Sequence, residues 1–224
     1  MLFDLRARGR RTTIKVIYVF LALLMGGGLV FFGIGGATNG GLLDAFKDNG
    51  GGTSAQKLAQ KKVDGAEKHV QLNRADAAAW AALTKAQYQQ AGLEQDETTG
   101  KYSQDGIKFL RDAARSWDRY TALQKGKIDP SLATLMTQAF LPGALNKPDE
   151  AVAAWEVVFD SREPSVGLYS QLAQLAYAAG QTRKGDLAAA KAVGLAPKSQ
   201  RKDVKAQLDA LKAQPQGSSS AATG

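Results

Sequence analysis

Residues 163–181 read EPSVGLYSQLAQLAYAAGQ, and this stretch decides the fold because a similar segment occurs earlier in the chain. Thirty-four residues upstream, residues 129–147 read DPSLATLMTQAFLPGALNK. Both segments open on an acidic residue, a proline and a serine, and both continue into an apolar run that contains alanine. Because proline is favoured in the first turn of a helix, the recurrence predicts two equivalent helices in a repeat.

The spacing of prolines sets the period of this repeat. Pro130, Pro164 and Pro197 are separated by 34 and 33 residues. Between them the order is the same: an apolar helix, a break near Gly or Pro, a second helix and a loop. A period near 34 residues with two helices per unit is typical of helical-hairpin arrays. One hairpin has too little apolar surface to fold alone, so we expect neighbouring hairpins to stack.

Large and small residues recur at fixed positions of the last repeat. Its first helix carries an aromatic residue and a Leu-Ala pair, a glycine marks the turn, and the second helix carries small residues. The positions concerned are Tyr169, Leu172, Ala173, Gly180, Gly185, Ala192 and Pro197. At this spacing they resemble the tetratricopeptide repeat (TPR) family. The resemblance implies an α-hairpin solenoid.

The two upstream repeats match the same pattern less fully. Pro142 and Gly143 are expected to shorten the first helix of the middle repeat. Residues 95–105, QDETTGKYSQD, are an insertion that lengthens the repeat before it. The matching positions are Trp80, Leu83, Gly92, Ala113, Trp117, Leu135, Ala139, Ala151, Trp155 and Pro164. The resemblance covers residues 55–197.

Composition supports an all-α body. The chain is rich in Ala, Gln, Lys and Leu, with few β-branched residues beyond the first forty, which favours helix over strand. Residues 55–213 are therefore predicted to form a TPR-like domain of about three to four units. Within it, residues 198–213 are predicted to form a capping helix with a polar outer face. Residues 214–224 lack apolar side chains that could pack and are predicted to be disordered.

Residues 16–37 are uncharged and mostly apolar, and a helix of about 20 residues spans a bilayer. Residues 1–15 are basic, so the positive-inside rule predicts a cytoplasmic N-terminus and an extracytoplasmic body. Residues 38–54 are a glycine-rich linker. We expect an uncleaved signal anchor in the plasma membrane. The alternative is a signal peptide cleaved after the small residues 35–37.

The charge distribution argues against nucleic acid as a partner. Of the net charge of +8, half lies in the first fifteen residues, and the rest is spread over both signs with no nucleic-acid-binding motif. The chain has no cysteine, which excludes disulfides, thiol nucleophiles and Cys-ligated zinc.

No catalytic motif is apparent, and no enzyme activity, cofactor or metal ion is expected. The single histidine, His69, has no partners nearby in the sequence and is interpreted as a structural or surface residue. Glu94, Asp96 and Glu97 lack the spacing of an EF-hand and are interpreted as a solvated loop.

The TPR resemblance implies a concave groove made by the first helix of each hairpin. Transferred to this chain, the groove positions are Ala81, Lys85, Tyr88, Gln89, Ser170, Gln174 and Tyr177. Tyrosines beside Lys and Gln would suit an extended peptide. The alternative is that both tyrosines pack inside their hairpins. The expected repeat core is Trp80, Leu83, Trp117, Trp155, Tyr169, Leu172, Ala192 and Pro197.

The expected function is a membrane-anchored scaffold that binds a protein or extended peptide outside the cytoplasm and helps exported chains or envelope assemblies. The basic-then-apolar start is also similar to the anchors of bacterial envelope foldases and their TPR companions. The alternatives are a self-assembling structural envelope protein and, more remotely, a membrane-anchored enzyme such as a peptidyl-prolyl isomerase. The sequence leaves the oligomeric state and the partner's identity open.

Overall fold

The computed structural model describes residues 52–96 and 98–213, and side chains from residue 55 onward. These residues form eight α-helices and no strand, which confirms the all-α prediction. The helices are α1 Gly52–Leu72, α2 Ala77–Leu93, α3 Gln104–Leu123, α4 Pro130–Ala139, α5 Pro148–Asp160, α6 Val166–Ala178, α7 Thr182–Leu195 and α8 Arg201–Lys212. The predicted membrane span, most of the linker and the C-terminal tail lie outside the described residues.

Four of these helices begin at a capping side chain that the sequence supplies. Each cap accepts a hydrogen bond from a backbone N–H in the first helical turn, which is otherwise without a partner. The caps of α2, α3, α4 and α6 are Asp76, Ser103, Asp129 and Ser165. A cap of this kind stabilises a helix by about 1 kcal/mol. Local sequence therefore sets where all three hairpins begin.

Proline and glycine shorten α4, as the sequence predicted. This helix has 10 residues against 13 in α6, and it ends at Ala139, just before Pro142. Gly143 then adopts a φ of +91°, a left-handed conformation that glycine reaches without steric cost. The chain therefore turns early into α5, and the middle hairpin is shorter than its neighbours.

The helices pack as successive pairs. The hairpins are α2 with α3, α4 with α5 and α6 with α7, and each second helix also packs against the helix that follows it. α2 contacts α4, and α6 contacts α8. α1 packs on α2 from the N-terminal side, and α8 covers the last hairpin. This solenoid-like packing matches the stacking expected from the repeat.

Most of the predicted core residues are buried. The main cluster runs from α2 to α8 and includes Trp117 and Trp155, while a smaller cluster joins α1 to α2. Trp80 packs against both clusters and is half-buried. Leu83, Leu172 and Ala192 are buried, and Tyr169 is half-buried with its ring against Phe159.

The prediction that Pro197 belongs to the repeat core is wrong. It is exposed, immediately after the C-cap residue of α7, Ala196. Proline has no N–H and cannot continue a helix, so its place in the repeat reflects the end of a helix rather than packing.

The last hairpin depends on a close approach of α6 to α7. A β-carbon built on Gly185 would lie 2.4 Å from Cε1 and 2.5 Å from Cδ1 of Tyr177, closer than real carbon atoms approach. Tyr177 is only 5% exposed, so its ring has little room to move away. Glycine at position 185 is therefore a packing requirement.

We expect Gly185→Ala to destabilise the fold by about 1–3 kcal/mol, the usual cost of overpacking a filled interior. Gly194→Ala is the matched control because it lies on the same helix with nothing near its added methyl group. The control should gain up to about 1 kcal/mol from helix propensity. Urea unfolding of the full-length chain in detergent, followed by circular dichroism, measures both changes. Equal stabilities of the two variants would contradict the packing requirement.

Candidate binding face on the first helices

The first-helix face is defined here as the predicted groove positions of α2 and α6 whose side chains are exposed or half-buried. Most predicted groove residues belong to it. Lys85 and Gln174 are exposed, whereas Ala81, Tyr88, Gln89 and Ser170 are half-buried. Tyr177 is buried and packs inside its hairpin, which is the alternative that the sequence left open.

Tyr88 joins the first two hairpins across this face. Its hydroxyl donates a hydrogen bond to Oε1 of Gln138 at 2.9 Å, which links α2 to α4. Burial, with a smaller effect of Tyr102, raises the pKa of Tyr88 to about 12. Tyr88 therefore stays protonated to a higher pH than an exposed tyrosine.

Gln138 makes a contact between hairpins that the sequence-based prediction missed. It lies 34 residues before Leu172, and the first hairpin carries Leu83 at the corresponding place, three residues after its aromatic position. The sequence did offer a signal, because this position carries a polar side chain where the other two repeats carry leucine. The half-buried Gln138 accepts the hydrogen bond of the Tyr88 hydroxyl at the contact between α2 and α4.

Tyr177 belongs to a polar cluster that joins α6, α7 and α8. Its hydroxyl donates to Oδ1 of Asp186 at 2.9 Å, and Nζ of Lys212 contacts both carboxylate oxygens of Asp186 at 2.7 and 2.9 Å. Burial, reinforced by the hydrogen bond to Asp186, raises the pKa of Tyr177 to about 12. The hydrogen bonds from Lys212 and Tyr177 lower the pKa of Asp186. This cluster fastens the capping helix to the last hairpin.

Charge is distributed unevenly between first and second helices. Lys85 is the only charged residue within α2, α4 and α6. The second helices are charged throughout: α5 and α7 carry four charged residues each. α3 carries seven, Asp105, Lys108, Arg111, Asp112, Arg115, Asp118 and Arg119. The first helices therefore carry a single charge, whereas each second helix carries at least four.

His69, Glu94 and Asp96 lie outside helices α2, α4 and α6. His69 is exposed in the last turn of α1. Asp96 accepts hydrogen bonds from the backbone N–H groups of Thr98 and Thr99 and from the Thr99 hydroxyl, which lower its pKa. Asp96 is thus engaged in holding the turn between α2 and α3. Across residues 52–96 and 98–213, no group of three or more His, Cys, Asp or Glu side chains is placed to hold a metal ion.

Comparisons with known proteins returned no match among protein-family models, curated proteins or solved structures. The TPR resemblance therefore stays a prediction from the repeat spacing. Within the part of the chain that the structure describes, none of the helices has the length and apolar character needed to cross a membrane. The predicted span at residues 16–37 lies outside that part.

Alkaline pH should weaken the fold through Tyr88 and Tyr177. Both pKa values are raised from 10.0 to about 12, so between these values the unfolded chain loses phenol protons that the folded chain retains. Folding stability must then fall as the pH rises from about 10 to about 12. Absorbance titration of tyrosinate at alkaline pH measures the ionisations. Tyr177→Phe should remove one of the late ionisations, and a wild-type chain whose tyrosines all ionise near the ordinary value would contradict the burial of both rings.

Proposed function

We propose that the chain is a membrane-anchored interaction protein of the TPR type, whose first-helix face binds a protein or an extended peptide outside the cytoplasm. The observation that carries this proposal is the face itself. Stacking of the helix pairs buries one side of each first helix and leaves the other side presenting Lys85, Gln89 and Gln174. Repeat arrays of this kind offer extended surfaces to partners.

The membrane anchor is proposed from the sequence. Residues 16–37 are long enough to span, and the basic residues 1–15 favour a cytoplasmic N-terminus. The outer side of the membrane is where exported chains emerge and envelope assemblies form. Assistance to such chains or assemblies is the role we propose.

In-cell photo-crosslinking from position 174 tests the binding face. Gln174 is exposed on α6, whereas Tyr177 is buried and would report on the hairpin interior. Position 190, the exposed Ala190 on the second helix α7, is the matched control. We expect envelope or exported proteins to be captured from position 174 and not from position 190.

Two results would contradict the proposal. Identical adducts from both positions would show that capture does not depend on the first-helix face. Adducts that contain only a second copy of the chain would favour the self-assembling structural protein instead.

Membrane anchoring is tested separately by N-terminal sequencing of the chain extracted from membranes. An uncleaved signal anchor retains residues 1–37 because its apolar segment is longer than that of a typical secretory signal. We therefore expect no new N-terminus. A chain that starts at Thr38 would show cleavage and would contradict the anchor.

A further inference from the structure

We propose that a cleft between α1 and α3 binds a small zwitterion, an α-amino acid with an apolar side chain. The cleft has a volume of about 400 Å³, within the range of about 300–1,000 Å³ that is typical of small-molecule sites. Its lining includes Glu67 of α1, Trp80, Leu83 and Gln87 of α2, and Ser116 and Arg119 of α3. None of these residues belongs to the first-helix face, so this site is independent of the proposed function.

The floor of the cleft is made by α2, because α1 and α3 both pack on that helix. Trp80 is half-buried there and contacts both hydrophobic clusters. Its indole N–H donates a hydrogen bond to the backbone carbonyl of Arg74 at 2.9 Å, which restrains the ring. The ring therefore offers the cleft its apolar surface, on which an apolar or aromatic ligand side chain can pack.

A buried amide in this cleft has a donor left without a partner. Gln87 is only 5% exposed, and its Oε1 accepts a hydrogen bond from the Ser116 hydroxyl at 2.7 Å. Within residues 55–96 and 98–213, no group accepts a hydrogen bond from Nε2 of Gln87. Buried polar groups are nearly always hydrogen-bonded, and leaving a donor unpaired is costly. Because Gln87 lines the cleft, a ligand oxygen bound there would supply the missing acceptor.

The cleft also holds one cation and one anion without ion-pair partners. Arg115 and Asp112 line it as well, but they pair with each other along α3, so their charges offset. In the described part of the chain, neither Arg119 nor Glu67 forms an ion pair. An anionic ligand would pair with Arg119 but be repelled by Glu67, and a cationic ligand would meet the converse repulsion. A ligand that carries both charges avoids this conflict.

An α-amino acid matches these groups one by one. Its carboxylate can accept hydrogen bonds from the guanidinium of Arg119 and from the free amide donor of Gln87. Its ammonium can pair with Glu67, and its side chain can pack on Trp80. Because Arg119 and Glu67 are exposed, each ion pair adds modest affinity, and the two together select the zwitterion.

Titration of the full-length chain in detergent with L-phenylalanine tests the site, followed by NMR of the Gln87 side-chain amide and the Trp80 indole N–H. We expect both resonances to shift and to saturate with a Kd of about 1 mM or below. Two analogues each lack one charge: 3-phenylpropanoate has no ammonium, and 2-phenylethylamine has no carboxylate. Each should bind at least about threefold more weakly, because it loses one exposed ion pair.

Removing each charge from the cleft identifies the ligand group that it binds. Arg119→Gln should weaken phenylalanine binding about threefold or more and should leave the binding of phenylethylamine no weaker. Glu67→Gln should also weaken phenylalanine binding and should leave the binding of phenylpropanoate no weaker. Arg111→Gln is the matched control, because Arg111 is an exposed arginine of α3 that does not line the cleft, and it should change no affinity.

Binding of phenylpropanoate or phenylethylamine as tight as that of phenylalanine would overturn the zwitterion as the ligand. No saturable shift of Gln87 and Trp80 with phenylalanine, or equal losses in Arg111→Gln and Arg119→Gln, would overturn the cleft as its site. Each of these outcomes leaves the first-helix face and its crosslinking test unaffected.

Discussion

The close contact between Tyr177 and Gly185 is the constraint on which the C-terminal end of the stack depends. The ring fills the space that any β-carbon at position 185 would need, and its hydroxyl reaches Asp186, which in turn holds Lys212. One aromatic side chain thereby brings α6 against α7 and α7 against the capping helix. The last hairpin needs the capping helix α8, because a terminal repeat without a cap that has a polar outer side would expose its apolar core to water.

The partition of charge follows from the same architecture. Second helices can carry charges because their outer sides stay in water, where ions keep their hydration. Some of these charges pair between hairpins, as where Lys184 of α7 meets Glu156 of α5 at 2.6 Å. Such exposed pairs add little stability, so their distribution says more about which surface stays solvated than about what holds the fold together. The first helices carry one charged residue, Lys85, in contrast to the second helices.

Sequence periodicity predicted much of the fold because proline and capping residues act locally. Asp129 and Ser165 each cap the start of a helix that continues into an apolar run, and Pro142 follows the end of one helix because proline cannot continue it. The same reasoning failed at Pro197, since a recurring residue can mark a helix end instead of a core position. For Tyr177, the register alone left groove and interior equally open. The close approach of Gly185 to the Tyr177 ring shows that Tyr177 lies in the interior. That distance depends on packing between helices, which the sequence pattern does not give. Gln138 was missed because its partner, Tyr88, lies fifty residues away in the chain.

The central claim is that the first-helix face is the binding surface. Side-chain amide NMR of the full-length chain, titrated with a segment of the protein captured from position 174, tests it most directly. The amide resonances of Gln89 and Gln174 should shift, because these groups would exchange water for ligand partners. Those of Gln104 and Gln207, on α3 and α8, should remain in place. Shifts confined to α3 or α8, with the amides of Gln89 and Gln174 unchanged, would contradict the claim.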